Sequence, residues 1–135
     1  MVDLLSFYDR YKDHANFLTV YILEAHPEDE WPLKVNRLAG ISYKQPTTLQ
    51  ERRSGATLLM QRFRYRIPIA IDAMDNRAED LFAAWPERLY IISPGGRILY
   101  KGKMGPFGFD PKEAEKVLEA SLPRSHEGTK AVLFY

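Results

Sequence analysis

Phe17-Leu18-Thr19-Val20-Tyr21-Ile22-Leu23 runs directly into Glu24-Ala25-His26-Pro27-Glu28-Asp29-Glu30-Trp31. The first seven residues are apolar, aromatic or β-branched throughout, the pattern of a strand covered on both faces. The eight that follow set a titratable histidine among carboxylates at the strand's end. That is where open α/β sheets place their chemistry.

On the N-terminal side, Leu4, Leu5, Tyr8 and Tyr11 recur at helical spacing, so a helix precedes the strand. Downstream, Thr48-Leu49-Gln50-Glu51 matches a capping box and opens a helix with Leu49, Ala56, Met60 and Phe63 assigned to its apolar face. Arg52, Arg53 and Arg62 are assigned to its solvated face. Residues 67 to 71, Ile-Pro-Ile-Ala-Ile, read as a short buried parallel strand with Pro68 near its start, where a missing N–H costs least, and Asp72 ends it. Asn76 is the predicted cap of a short helix with Glu79 three residues on, and Leu81, Phe82 and Trp85 supply its apolar face until Pro86 stops it.

A hairpin follows, from Arg88 to Ser93, through Pro94-Gly95-Gly96, and back from Arg97 to Gly102. The loop Gly102-Lys103-Met104-Gly105-Pro106-Phe107-Gly108 lacks the spacing of a phosphate loop, because its lysine lies between glycines rather than at a helix start. Asp110-Pro111-Lys112-Glu113 then opens the last helix with cap, N1 proline and N3 acid in order. It ends near Leu122. A polar linker leads to Lys130-Ala131-Val132-Leu133-Phe134-Tyr135, an apolar run of strand character. The predicted division is a domain over residues 1–122 and a linker with a strand-like tail over 123–135.

At 135 residues the chain fits one domain able to bury roughly two-thirds of its unfolded surface. Nineteen basic and eighteen acidic residues leave a net charge of +1, which points to neither nucleic acid nor an anionic membrane as partner. No apolar run approaches the ~20 residues of a membrane span, and Asp3 stands where a signal peptide would be basic, so the expected location is cytoplasmic. There is no cysteine, which excludes disulfides, thiolate metal sites and a thiol nucleophile from these residues.

Four stretches carry a resemblance. Glu24-Ala25-His26-Pro27-x-Asp29-x-Trp31, Ile71-Asp72-Ala73-Met74-Asp75, Ala84-Trp85-Pro86-Glu87-Arg88-Leu89-Tyr90-Ile91-Ile92 and Gly105-Pro106-Phe107-Gly108-Phe109-Asp110 together resemble the iodothyronine deiodinases, especially bacterial members. The likeness runs from about residue 2 to residue 122. It implies an α/β chain of thioredoxin-like fold, with the first strand missing or replaced by the C-terminal segment. In that family the first strand leads into a loop carrying selenocysteine or cysteine, and no residue here matches that nucleophile. The implied class is thiol- or selenol-dependent redox chemistry, with an external thiol reductant in an intact relative and no cofactor within this chain. The alternative is a non-catalytic thioredoxin-like module that binds a partner.

By the same resemblance Glu24 and His26 match the family's active-site pair. His26 is then a general acid or an orienting group beside the nucleophile; otherwise it is a loop histidine bonded to Glu24 or Glu28. Trp31 and Pro86 are the implied substrate-binding residues, for a small aromatic or peptide substrate, although a large aromatic beside a strand also suits a core. Pro86 matches the proline before the third strand of thioredoxin-like proteins, where the peptide bond is cis. Two family residues associated with iodothyronine binding are unmatched: a histidine before the long helix, where this chain reads Gln45-Pro46-Thr47, and an arginine in the glycine loop, where it reads Met104. Glu30 also replaces a glycine. The carboxylates of residues 24–30 read as a solvated acidic turn rather than a metal site, since ligands so close on one loop rarely complete a coordination shell. The tail 131–135 is the expected occupant of the vacant strand position, between residues 17–23 and 67–71, in its own chain or exchanged within a homodimer.

Overall fold

The computed structural model describes residues 2–25, 27, 44–122 and 129–134. Helix α1 (Val2–Tyr11) turns directly into strand β1 (Ala15–Tyr21). Helix α2 (Leu49–Phe63), strand β2 (Ile69–Ile71), helix α3 (Arg77–Phe82), strands β3 (Arg88–Ile92) and β4 (Ile98–Lys101), helix α4 (Pro111–Ser121) and strand β5 (Thr129–Phe134) follow. The five strands form one mixed sheet in the order β2-β1-β5-β3-β4. β1 is parallel to both β2 and β5, whereas β3 is antiparallel to β5 and to β4.

The expected mixed α/β order is therefore present, with corrections at particular residues. β1 begins and ends earlier than residues 17–23, because its ladder opens at Ala15 opposite Thr129. β2 is shorter than residues 67–71. Pro68 has no N–H to donate, and only its carbonyl joins the ladder, accepting from Thr19 N at 2.8 Å. The tail enters the sheet, but between β1 and β3, not between β1 and β2. Those two strands pair directly, Thr19 with Ile69 and Tyr21 with Ile71, leaving only the other edge of β1 to be filled.

Of the face assigned to it, helix α2 buries only Ala56. Leu49, Met60 and Phe63 are exposed, and the inward row is Arg52, Gly55, Ala56 and Leu59. Arg52, expected in solvent, is 1% exposed. The burial is sustained by its planar fork of donors: Nη1 donates to the Asp72 and Ala73 carbonyls at 3.3 and 2.7 Å, and Nη2 to Asn76 Oδ1 at 2.8 Å. Two ends form as predicted. Thr48 and Glu51 complete the capping box of α2, and Asp110 caps α4 through the Lys112 and Glu113 amides.

Asn76, the predicted cap of α3, makes no side-chain cap bond, since its amide oxygen is committed to Arg52. Asp72 takes over from the end of β2: one carboxylate oxygen accepts from Ala73 and Ala78 N, the other from Glu79 N, at 2.9 to 3.0 Å. Leu4, Phe7, Leu89, Ile91, Ala114 and Leu118 form the core on the sheet face covered by α1 and α4. A smaller cluster of Ile22, Ala84 and Tyr90 fills the opposite face beneath α3.

Candidate functional site

Sheet register brings the ends that matter to one side. Val20 of β1 pairs with Phe134 of β5, which pairs with Arg88 of β3. The exit of β1 towards Glu24 and the entry to β3 after Pro86 therefore lie at the same edge. The exit of β4 into the glycine loop joins them there, because Lys101 pairs with Tyr90.

Glu24 is held from several directions. The Tyr21 hydroxyl, on a buried ring, donates to Glu24 Oε1. Gln45 accepts from the Glu24 N–H at 3.2 Å and donates to its carbonyl at 3.3 Å. One residue earlier, the Leu23 N–H is hydrogen-bonded to the Glu79 carboxylate from α3. Burial raises the Glu79 carboxyl above its ordinary value, with the charges of Asp80 and Asp72 adding to the effect. Its other oxygen is buried with no protein partner, as is Arg52 Nε.

Helix α2 passes Tyr21 closely because residue 55 is glycine. A Cβ there would lie 2.8 Å from the Tyr21 oxygen and 3.6 Å from Glu24 Oε1. On the outer side of this contact a cleft of about 480 Å³ opens between the segment 44–47 and α2, with Gln45, Pro46, Glu51, Gly55 and Leu58 among its walls. Hydrogen bonds from the Thr47 amide and hydroxyl, then the Thr48 amide, hold the Glu51 carboxyl below its ordinary value.

At the neighbouring strand end the Trp85–Pro86 peptide bond is cis, as is Gly105–Pro106. Gly105 donates its N–H to the Glu87 carbonyl at 3.1 Å, and a Cβ on it would fall 2.2 Å from Glu87 Cγ. Burial raises the Glu87 carboxyl. Arg88 ties the two loops together, donating through Nε to the Ala83 carbonyl at 2.7 Å and through Nη1 to the Gly102 carbonyl at 2.9 Å. Trp85, Met104 and Phe107 leave apolar surface exposed.

Of the four predicted site residues, Glu24 and Pro86 are thus brought to one edge of the sheet. His26 and Trp31, with most of the acidic turn, lie outside the described residues. Among the described residues no three metal-ligating side chains come together, and no helix is long and apolar enough to cross a membrane. Sequence reasoning missed Tyr21, Gln45 and Glu79 as partners of the Leu23–Glu24 segment. The available signal was a tyrosine three residues before a glutamate at a strand end; nothing local marks Gln45 or Glu79.

Residues 3–122 match the family model described as iodothyronine deiodinase. The type I iodothyronine deiodinase of Xenopus laevis is 46% identical over 105 residues, which are 78% of this chain and 39% of that protein. The thyroxine 5-deiodinase of Gallus gallus is 38% identical over 107 residues, 79% and 40% of the two chains. The type II iodothyronine deiodinase of Petromyzon marinus is 39% identical over 108 residues, 78% and 36%. The chain spans about 40% or less of the length of these curated relatives.

Proposed function

Because the chain belongs to the iodothyronine deiodinase family, we propose that it provides the thioredoxin-like scaffold and the proton-handling residues of a thiol- or selenol-dependent reductive dehalogenation. The soft nucleophile that such chemistry requires is not among these 135 residues. In the reaction class, a thiolate or selenolate takes the iodine from an aromatic ring, the ring carbon takes a proton, and an external thiol supplies the two electrons. Serine and threonine hydroxyls do not substitute, because their pKa is far too high for an unactivated soft attack. The 135-residue chain is read as inactive by itself.

The observation that carries this reading is that a fixed Glu24 and Pro86 follow and precede strand ends on the same side of the sheet, inside the span matched by the family. Glu24, with His26 two residues on, is assigned to proton handling; Pro86 and Trp31 are assigned to the substrate. The thioredoxin-like assignment draws support from the strand order, in which β5 lies parallel to β1 and antiparallel to β3. We assign β5 to the position that a nucleophile-bearing strand would hold in an intact relative. Gln45-Pro46-Thr47 stands where the resemblance to vertebrate relatives implies a histidine, and Met104 where it implies an arginine, so the proposal names the reaction class and not iodothyronines as substrates.

A second reading, a non-catalytic binding module, is favoured by the absence of cysteine together with the exposed apolar surface of Trp85, Met104 and Phe107. One experiment tests both. The purified chain is incubated with an iodinated phenol and dithiothreitol, with iodide release and NMR shift perturbation read in parallel. No iodide release, with shifts at Glu24 and around Pro86, supports the proposed scaffold. Iodide release above a buffer blank that vanishes in His26→Ala overturns the inactive reading; shifts confined to Trp85, Met104 and Phe107 favour the binding module.

A further inference from the structure

Helix α3 packs against the exit of β1. Ile22 is buried there with Ala84 and Tyr90, and Ala78 and Phe82 of α3 close over that cluster. Glu79, next to Ala78 on the helix, faces the Leu23 N–H with its carboxylate. β1 ends at Tyr21, so Leu23 lies beyond the strand and Glu24 follows it directly. Gln45 holds the Glu24 main chain from the segment before α2. Two side chains from distant parts of the sequence thus grip consecutive residues, and only one of them can change its charge. The Oε2 atom of Glu79 is buried without a partner, so this is not a surface acid that happens to pass nearby.

Nothing about the contact itself demands a charge. A glutamine would present the same kind of carbonyl to an N–H and cost less to bury. Around Glu79 the ionised form is opposed by burial, by Asp80 beside it and by Asp72 at the end of β2, and is favoured only by the Leu23 N–H and by Arg52 of α2. Arg52 has its fork committed elsewhere, Nη1 to the Asp72 and Ala73 carbonyls and Nη2 to Asn76. A carboxyl kept where an amide would serve is one whose proton matters. We infer that Glu79 is a positioning residue for Glu24: when ionised, its carboxylate holds the Leu23 N–H and fixes the turn that presents Glu24, and uptake of a proton loosens that hold. The physical basis is that a hydrogen bond to an ionised acceptor is roughly twice as strong as one to a neutral acceptor. The hold is therefore present above the Glu79 titration and weak below it. Its catalytic meaning rests on the reading of Glu24 as a proton-handling group, whereas the hold itself is measured without ligand or reductant, so the two can fail separately.

An isotope-labelled full chain titrated by NMR from about pH 4 to about pH 9 tests this. The Leu23 amide proton is expected to move downfield as pH rises, with the midpoint of the Glu79 carboxyl carbon rather than that of the exposed carboxyls. The Glu24 carboxyl carbon should show an additional inflection at the same midpoint. Glu79→Gln keeps an acceptor, so it should abolish both responses while leaving hydrogen exchange at Leu23 within about twofold of the parent. Glu79→Ala should speed exchange at Leu23 and Glu24 roughly tenfold, the scale set by a hydrogen bond to a charged group. Asp80→Asn removes one opposing charge and should lower the midpoint without abolishing the movement. A Leu23 amide that ignores the Glu79 midpoint, or that still follows it in Glu79→Gln, overturns the hold; a Leu23 response with no inflection at Glu24 overturns the positioning role. Should Glu79→Ala not fold, the titrations of the parent, Glu79→Gln and Asp80→Asn decide the matter alone.

Discussion

Gln45 closes on Glu24 from both sides of the peptide chain, accepting from its N–H and donating to its carbonyl, so one side-chain amide replaces a strand neighbour just beyond the end of β1. Both groups of Glu24 are thereby paired without extending the sheet. Truncation to Gln45→Ala should cost about 1–2 kcal/mol, since two partly buried backbone groups lose a partner. It should also speed hydrogen exchange at the Glu24 amide relative to Tyr21. Unchanged exchange at Glu24 would show that the clamp contributes nothing.

Gly55 and Tyr21 are coupled by proximity. Gly55→Ala gains about 1 kcal/mol of helix propensity but drives a Cβ into the Tyr21 hydroxyl, 2.8 Å away. The single variant is expected to be destabilised and the double variant with Tyr21→Phe to recover, giving a coupling of at least ~0.5 kcal/mol by denaturant titration. Additive effects would contradict the close approach.

Arg52 offers the largest single effect on stability. Arg52→Ala leaves the Asp72 and Ala73 carbonyls and the Asn76 amide without their donor and opens a cavity, for an expected loss of about 3 kcal/mol or more. Arg52→Lys keeps the charge but cannot reproduce the fork, and should recover only part of it. Urea midpoints of the three proteins decide the order.

Burial raises the carboxyls of Glu79 and Glu87 above the ordinary 4.5, so the folded chain holds protons that the unfolded chain releases. Their favourable contribution is complete below the ordinary value and is lost as pH rises through the raised values. The double variant Glu79→Gln and Glu87→Gln should therefore gain melting temperature relative to the parent on going from about pH 4 to about pH 7. A constant difference between the two proteins would show that neither carboxyl is perturbed. Glu51 acts in the opposite sense, its hydrogen bonds to Thr47 and Thr48 favouring the ionised form, but it is common to both proteins and cancels.

What was legible in the sequence was local. The Thr48–Glu51 capping box and the Asp110–Pro111 helix start each lie within a few residues, and both form as read. The alternation of helices and strands followed from periodicity in the same way. Arg52 was misassigned because its three acceptors lie some twenty residues downstream, in a turn whose shape the helix pattern does not encode. Asn76 has the composition of a cap, but its backbone sits at φ 56° and its side chain serves Arg52, so the cap came from Asp72 instead. At the candidate site, Glu24 could be singled out from its place after a strand. Gln45, which clamps its main chain, and Glu79, which faces the Leu23 N–H before it, come from segments whose approach only the tertiary packing determines. The tail's strand character was visible in its apolar run; its neighbours were not, because composition does not say which of two strand edges stays free.

The position of β5 also bears on how the protein is made. A ribosome delivers residues in order, and the partner of Ala15 is Thr129. Until β5 is added, the inner edges of β1 and β3 both lack the neighbour they have in the finished sheet. Loss of Thr129–Phe134 would therefore leave α4 intact while removing the strand that joins the β1–β2 pair to the β3–β4 pair.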